Sequence, residues 1–217
     1  MNEPWAEVPR ARSLGFTISG WDDGPAMASP LIVTFVGGAG GRWHVESMGA
    51  VAGEGLPLIA GLDVVEGKAV EADTAAGVVG GWTPRWVLRG TTSNERYVER
   101  QERAALVARQ PPLGRPEATC AALIPLHKSP AWWDLTQDER RVVLEDRSHH
   151  IATGLEYLPA VARRLHHGRD LGEEFDFLTW FEYAPADTDA FEELVGRLRA
   201  TEEWTYVERE VDIRLSR

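Results

Sequence analysis

The sequence predicts an α+β protein built from two ferredoxin-like halves. Three observations point to this class. The chain closes on a strand, a helix and a strand, over 175–183, 185–200 and 204–215, and that unit repeated with antiparallel neighbours is the ferredoxin-like pattern. Two short apolar runs, 31–36 and 118–126, have the length and composition of buried strands. An amphipathic stripe follows the second of them. We divide the chain into an N-terminal arm or loop (1–30), a first half (31–126) and a second half (127–217). The first half reads as a degenerate copy, without a sequence-level repeat.

Taken in order, residues 1–30 are rich in Pro, Gly and Asp and carry little regular pattern. Leu31–Val36 is a buried strand, Gly37–Gly41 a flexible hairpin turn, and Arg42–Met48 the returning strand. The glycine run lacks the GK[ST] ending or GxGxxG start of a phosphate loop. Residues 49–82 are dominated by Gly, Ala and Val and show only weak strands. Trp86–Gly90 is a strand entering a turn at Thr91–Asn94. A helix follows over 95–110, and Pro111-Pro112 stops it. Beyond the strand 118–126, Pro130 opens a helical turn carrying Trp132 and Trp133, and Thr136 with Glu139 forms a capping box. Leu144, Ile151, Leu155, Leu158, Ala162 and Leu165 make one helical stripe. In the last strand, a change of parity near Glu208–Glu210 predicts a β-bulge.

Composition narrows the function. The length of 217 residues, 43% apolar, allows a sizeable core. A formal charge of −11 argues against nucleic acid or an anionic membrane surface as partner. An anion would have to be held by local positive charge. The single cysteine, Cys120, leaves no intrachain disulfide and no zinc-ribbon spacing. No run reaches the roughly 18 apolar residues of a membrane span. With no basic, apolar leader at the start, the expectation is a cytoplasmic protein, or a periplasmic one if a leader was removed. The nine tryptophans are read first as core or interface residues.

Ser148–His167 concentrates four of the six histidines and the pair Arg163-Arg164. Imidazole is the commonest ligand of a transition metal or haem iron, and a guanidinium is a permanent charge for a small anion beside it. His150 is the candidate ligand. His149, His166 and His167 are read as water-facing bystanders. On one straight helix, thirteen residues would carry Arg163 about 20 Å along the axis and roughly 220° around it from His150. The two can address one cofactor only if the helix breaks, and Gly154 and Pro159 lie between them. A ligating imidazole usually donates its second N–H to a carboxylate. Glu202 and Glu203 are both candidates, and Lys128 is a candidate counter-charge.

The runs Leu88–Asn94 with Arg96-Tyr97, Ala108–Gln110, Lys128–Trp133, Ser148–His150, Gly154–Ala160, Arg163–Leu165, Phe175–Glu182, Ala200–Trp204 and Val207–Leu215 together resemble the chlorite dismutase family of haem b proteins, and within it the short-chain dimeric branch. The resemblance implies a dimeric α+β barrel with haem b (iron protoporphyrin IX) in the C-terminal half, a homodimer, and decomposition of chlorite to chloride and molecular oxygen. It further implies that His150 is the proximal haem ligand, Glu203 its hydrogen-bond partner and Lys128 the partner of Glu203. Arg163 would be the mobile distal arginine, and Gln110 the residue that can hold it in one orientation. Trp132 and Trp133 would lie beside the haem, near the subunit contact. Tyr97 falls near a pocket tyrosine, and Thr179 and Phe181 border the distal cavity. Residues 1–30 and 52–81 depart from the family's short form. The rival readings are a coproheme decarboxylase on the same scaffold, which usually lacks an arginine at the position of Arg163, and a non-catalytic haem-binding protein.

Overall fold

The computed structural model describes residues 31–67, 81–92 and 99–217. Eight strands close into a barrel: β1 (Ile32–Gly38), β2 (Trp43–Ala52), β3 (Gly61–Glu66), β4 (Pro84–Thr92), β5 (Cys120–Lys128), β6 (Ala162–His167), β7 (Phe177–Tyr183) and β8 (Val207–Ser216). Their order around the barrel is β1-β3-β2-β8-β5-β7-β6-β4. All pairings are antiparallel. The first four strands run β4-β1-β3-β2 and the last four β8-β5-β7-β6. Both sets therefore have the fourth-first-third-second order of a ferredoxin-like unit, and the α+β expectation holds, although β5, placed in the first half by the division at 126, pairs within the second set.

The helices are α1 (Arg100–Arg109), α2 (Pro130–Asp134), α3 (Gln137–Arg141), α4 (His150–Glu156) and α5 (Thr188–Arg199). The capping box expected at α3 is present: Thr136 Oγ1 accepts from the Glu139 amide at 3.5 Å, and the Glu139 carboxylate accepts from the Thr136 amide at 2.8 Å. Helix α1 stops before Pro111, as expected; residues 93–98, ahead of it, lie outside the described residues.

Four expectations are corrected. Gly37–Gly41 does not turn a hairpin, because β1 and β2 both pair with β3. The glycines serve close packing instead: a Cβ at Gly38 would stand 2.2 Å from the Trp82 ring, and one at Gly41 (φ +139°) would stand 2.5 Å from the Leu62 backbone. Thr91 and Thr92 do not turn either. They end β4 and pair with His167 and His166, which closes the barrel. The helical stripe to Leu165 is broken: α4 ends at Glu156, and Ala162–His167 is strand β6. Last, Trp204 and Tyr206 lie in a 3₁₀ turn, Glu202–Tyr206, and β8 begins only at Val207. A bulge does occur where one was expected, since His127 pairs with Arg209 and Lys128 with Val207, skipping Glu208.

Alternation along the strands sorts side chains to two cores. Val33, Phe35, Leu123, Leu178, Trp180, Val211 and Ile213 fill the barrel. On the other face of the second half, Ala122, Ile124, Leu126, Phe177 and Phe181 pack with Phe191, Leu194, Val195 and Leu198 of α5. Trp43, Trp86, Trp132 and Trp180 are buried, as expected of core tryptophans.

Candidate functional site

The site begins at the α3–α4 junction. A π-helical segment, Val142–Arg147, follows α3, and His149 then takes a left-handed conformation (φ 50°) that starts α4 in a new direction. His149 supplies no side-chain cap. The Glu145 carboxylate does so from one turn earlier, accepting from the amides of Ile151 (2.7 Å) and Ala152 (3.2 Å). A carboxylate at a helix N-terminus satisfies otherwise unbonded amides and complements the helix dipole. The turn thus leaves His149 exposed and directs His150 inward.

His150 heads a buried polar chain. Its Nδ1 lies 2.6 Å from Glu203 Oε2, and Lys128 Nζ donates to Glu203 Oε1 at 2.8 Å and to the Glu203 carbonyl at 3.2 Å. Glu203 is 5% exposed and Lys128 1%. Burial opposes ionisation of Glu203, yet the charges and hydrogen bonds of His150 and Lys128 overcome it and bring the carboxyl down to about 2. An ionised carboxylate can only accept, so the bridging proton sits on Nδ1 of His150. In the neutral imidazole that leaves the Nε2 lone pair available, and Nε2 has no hydrogen-bond partner among the described residues. Ser148 Oγ accepts from the Glu203 amide at 3.0 Å, and Asp176 Oδ2 accepts from the Lys128 amide at 2.7 Å, so backbone contacts fix the middle and one end of the chain. Of the two candidate carboxylates, Glu202 points away and pairs with Arg147 at the surface, 2.8 Å apart.

Arg163 reaches the same region from β6. In the strand register it lies opposite Phe181, with Leu165 opposite Thr179 and His167 opposite Phe177. On β5, Ala122, Ile124 and Leu126 continue these rows. Arg163, Thr179 and Phe181 therefore share one largely apolar sheet face. The Arg163 guanidinium lies against Gly154, one turn beyond His150 on α4; a Cβ at Gly154 would stand 2.2 Å from Arg163 Nη1. Burial works against the arginine's charge, while the Glu145 and Glu203 carboxylates favour it. Gln110 Nε2 donates to Arg163 at 2.6 Å, but to its main-chain carbonyl rather than to its guanidinium side.

The tryptophans flank this arrangement. The Lys128 ammonium lies 4.7 Å from the centroid of Trp132, which is 1% exposed. Trp133 stacks on Phe177 at 6.0 Å, and the guanidinium groups of Arg169 (3.9 Å) and Arg140 (5.0 Å) lie over its ring. Its indole nitrogen is buried without a hydrogen-bond partner among the described residues. Tyr97 lies outside the described residues.

Two of the presumed bystander histidines are not at the surface. His166 and His167 are each 2% exposed. His166 faces the barrel interior, against Phe35 and within 3.2 Å of Thr92 Oγ1. Burial, with the neighbouring Arg164 and His167 charges, pushes its pKa down to about 3. Glu145, Ser148, Asp176 and Trp204 were not among the site residues expected from the sequence, and Gly154, expected as a helix break, lies inside α4 against Arg163. Ser148, Asp176 and Trp204 act through contacts with distant parts of the chain, which leave no local signal.

Known proteins are similar to this chain over most of its length. The family model described as Chlorite dismutase matches residues 69–217. A chlorite dismutase of Ideonella dechloratans is 35% identical over 86 residues, 40% of this chain, and that match spans 28% of the relative's length. The solved dimeric chlorite dismutase of Nitrobacter winogradskyi is 57% identical, with a TM-score of 0.74, over 85% of this chain and 99% of that one. A chlorite dismutase variant from Candidatus Nitrospira defluvii, 18% identical over 86% of this chain and 92% of that one, shares the fold with a TM-score of 0.61. The family match over more than half the chain and the high identity to the Nitrobacter protein show that the chain belongs to the chlorite dismutase family.

Proposed function

We propose that this protein binds haem b and decomposes chlorite to chloride and molecular oxygen, a reaction balanced in atoms and charge. The observation that carries the proposal is the buried His150–Glu203–Lys128 chain, which fixes the Nδ1 proton and leaves Nε2 as a ligand atom. Three features of the chain fit the cofactor. No group of three or more His, Cys, Asp or Glu that could hold a bare metal ion occurs among the described residues, so a lone imidazole suits a metal that arrives with its other ligands. Gly154 adds no side chain of its own to the helix surface one turn from His150, so that only the flexible end of Arg163 would have to move to admit a flat group beside it. The buried Trp133 N–H is a donor of the kind a propionate carboxylate would satisfy.

The bound haem iron would supply oxygen-atom exchange with the chlorine oxyanion. The chain's own residues do the rest. Glu203 holds the ring of His150 in one tautomer and makes Nε2 a stronger donor. Lys128 offsets the buried carboxylate. Arg163 stays charged at any working pH, attracts the substrate anion and keeps the chlorine oxyanion in place. The apolar face around Thr179 and Phe181 strengthens that hold by excluding water. Gln110 fixes the backbone from which Arg163 springs, and Trp132 and Trp133 border the cofactor. We also propose a homodimer, following the dimeric Nitrobacter relative; sedimentation should return twice the 24.1 kDa chain mass.

The test is oxygen evolution from chlorite by the haem-loaded protein, followed with an oxygen electrode. Arg163→Ala should keep haem and lose turnover or inactivate faster. His150→Ala should lose or weaken haem binding, read from the Soret band. Intact chlorite with bound haem would reduce the protein to a haem binder, and an absent Soret band would remove the cofactor.

A further inference from the structure

We infer that Glu210 is a positioning residue for His150, acting through the indole of Trp204; the inference rests on His150 being the haem ligand proposed above. Glu210 lies on β8 and is 1% exposed, although no member of the His150–Glu203–Lys128 chain hydrogen-bonds to it. Its Oε2 accepts from Trp204 Nε1 at 2.8 Å. Its Oε1 accepts from Arg199 Nε, also at 2.8 Å. Arg199 is held in turn by Asp212 Oδ2 at 2.7 Å. Both carboxylate oxygens thus have assigned donors, one of them charged, and such bonds are the strong ones.

What Glu210 holds is a wall of the proximal site. The Trp204 ring is nearly parallel to the His150 ring, at 16° and 6.5 Å between centroids. The Lys128 ammonium lies 5.4 Å from the same indole. Trp204 directly follows Glu203 in the turn Glu202–Tyr206, so an anchored indole also anchors the backbone that presents Glu203. One hydrogen bond from β8 therefore orients a ring that borders all three members of the chain. Burying a carboxylate is costly, and its return is this orientation. A glutamine has one acceptor oxygen where two donors converge, so Glu210→Gln must release either Trp204 or Arg199.

The test compares Glu210→Gln, Trp204→Phe and the double variant in the full chain. Proton NMR of the protein without haem follows the His150 Nδ1–H and Trp204 Nε1–H resonances, and resonance Raman of the ferrous, haem-loaded protein follows the iron–histidine stretch. Glu210→Gln should shift all three signals. Trp204→Phe, which keeps an aromatic ring without its N–H, should shift the two His150 signals in the same direction, and adding Glu210→Gln should move them no further. A residue that only stabilises the fold would lower the unfolding midpoint in both backgrounds and leave the His150 signals in place. The inference is overturned if the His150 signals stay at wild-type positions in Glu210→Gln, or if the shifts in the double variant add. Should Glu210→Gln fail to fold, unchanged His150 signals in Trp204→Phe overturn it instead. If the chain takes up no haem, the proposed function fails, and the NMR comparison still decides the positioning role.

Discussion

Lys128 shows what a single side chain contributes here. Its ammonium is almost wholly enclosed and satisfies one oxygen of a buried carboxylate. Such a pair adds little net stability over an apolar substitute, but removing one partner strands the other. Lys128→Met should cost about 3 kcal/mol of unfolding free energy, read by urea titration, because Glu203 then keeps only His150. An unchanged midpoint would mean that Glu203 takes up a proton and that the pair is dispensable. Gly154 is the complementary case. A glycine inside a helix costs about 1 kcal/mol relative to alanine, and a methyl group there would stand 2.2 Å from Arg163 Nη1, so the flexible end of that arginine would have to move. The position trades helix stability for the room in which the guanidinium lies.

Elements act through their ends. The π-helical segment, the left-handed His149 and the carboxylate cap from Glu145 together turn the chain so that α4 starts at His150. The left-handed conformation costs a non-glycine residue roughly 1–2 kcal/mol. His149→Gly should therefore stabilise the protein by about 1 kcal/mol in thermal or urea unfolding and leave haem uptake unchanged. Loss of haem binding in that variant would move the ligand from His150 to its neighbour. The break between α4 and β6 has the same directing effect. A continuous helix would set Arg163 far from His150, whereas the end of α4 at Glu156 lets β6 return the arginine to the helix surface it had left.

At the scale of the whole molecule, barrel closure places buried charge chemistry on both faces of one strand. Arg163 looks out of the barrel toward α4, and His166 looks in. His166 has a folded pKa of about 3, well below its ordinary value of 6.5. The unfolded chain then binds a proton that the folded chain refuses, so stability is full above pH 6.5 and falls as pH drops toward 3. Glu203, depressed from 4.5 to about 2, loses its contribution in the same direction over that lower window. Each group contributes a slope of up to about 1.4 kcal/mol per pH unit. Unfolding free energies measured between pH 7 and 3 should fall on acidification, and His166→Gln should flatten the segment above pH 4.5, where Glu203 is still ionised. An identical acid limb in that variant would show that His166 is solvated in the folded protein.

The sequence by itself determined the elements whose signal is local. Short apolar runs marked β1 and β5, the strand–helix–strand pattern at the end of the chain marked β7, the Thr136–Glu139 pair marked the start of α3, and Pro111 marked the end of α1. It also determined the chemistry on offer: an imidazole, a permanent cation and carboxylates in a chain of formal charge −11. The tertiary structure alone decided which of these meet. Glu203 rather than Glu202 reaches His150 because a 3₁₀ turn, and not an extended strand, precedes β8. His166 and His167 are buried because their strand closes the barrel against Thr92 and Thr91, a pairing of residues more than seventy positions apart. Helical spacing continued through Leu165 in the sequence, but once Pro159 had interrupted the helix those residues gained more by pairing with β7. Periodicity records what a segment can bury, and the partner strand settles which face it buries.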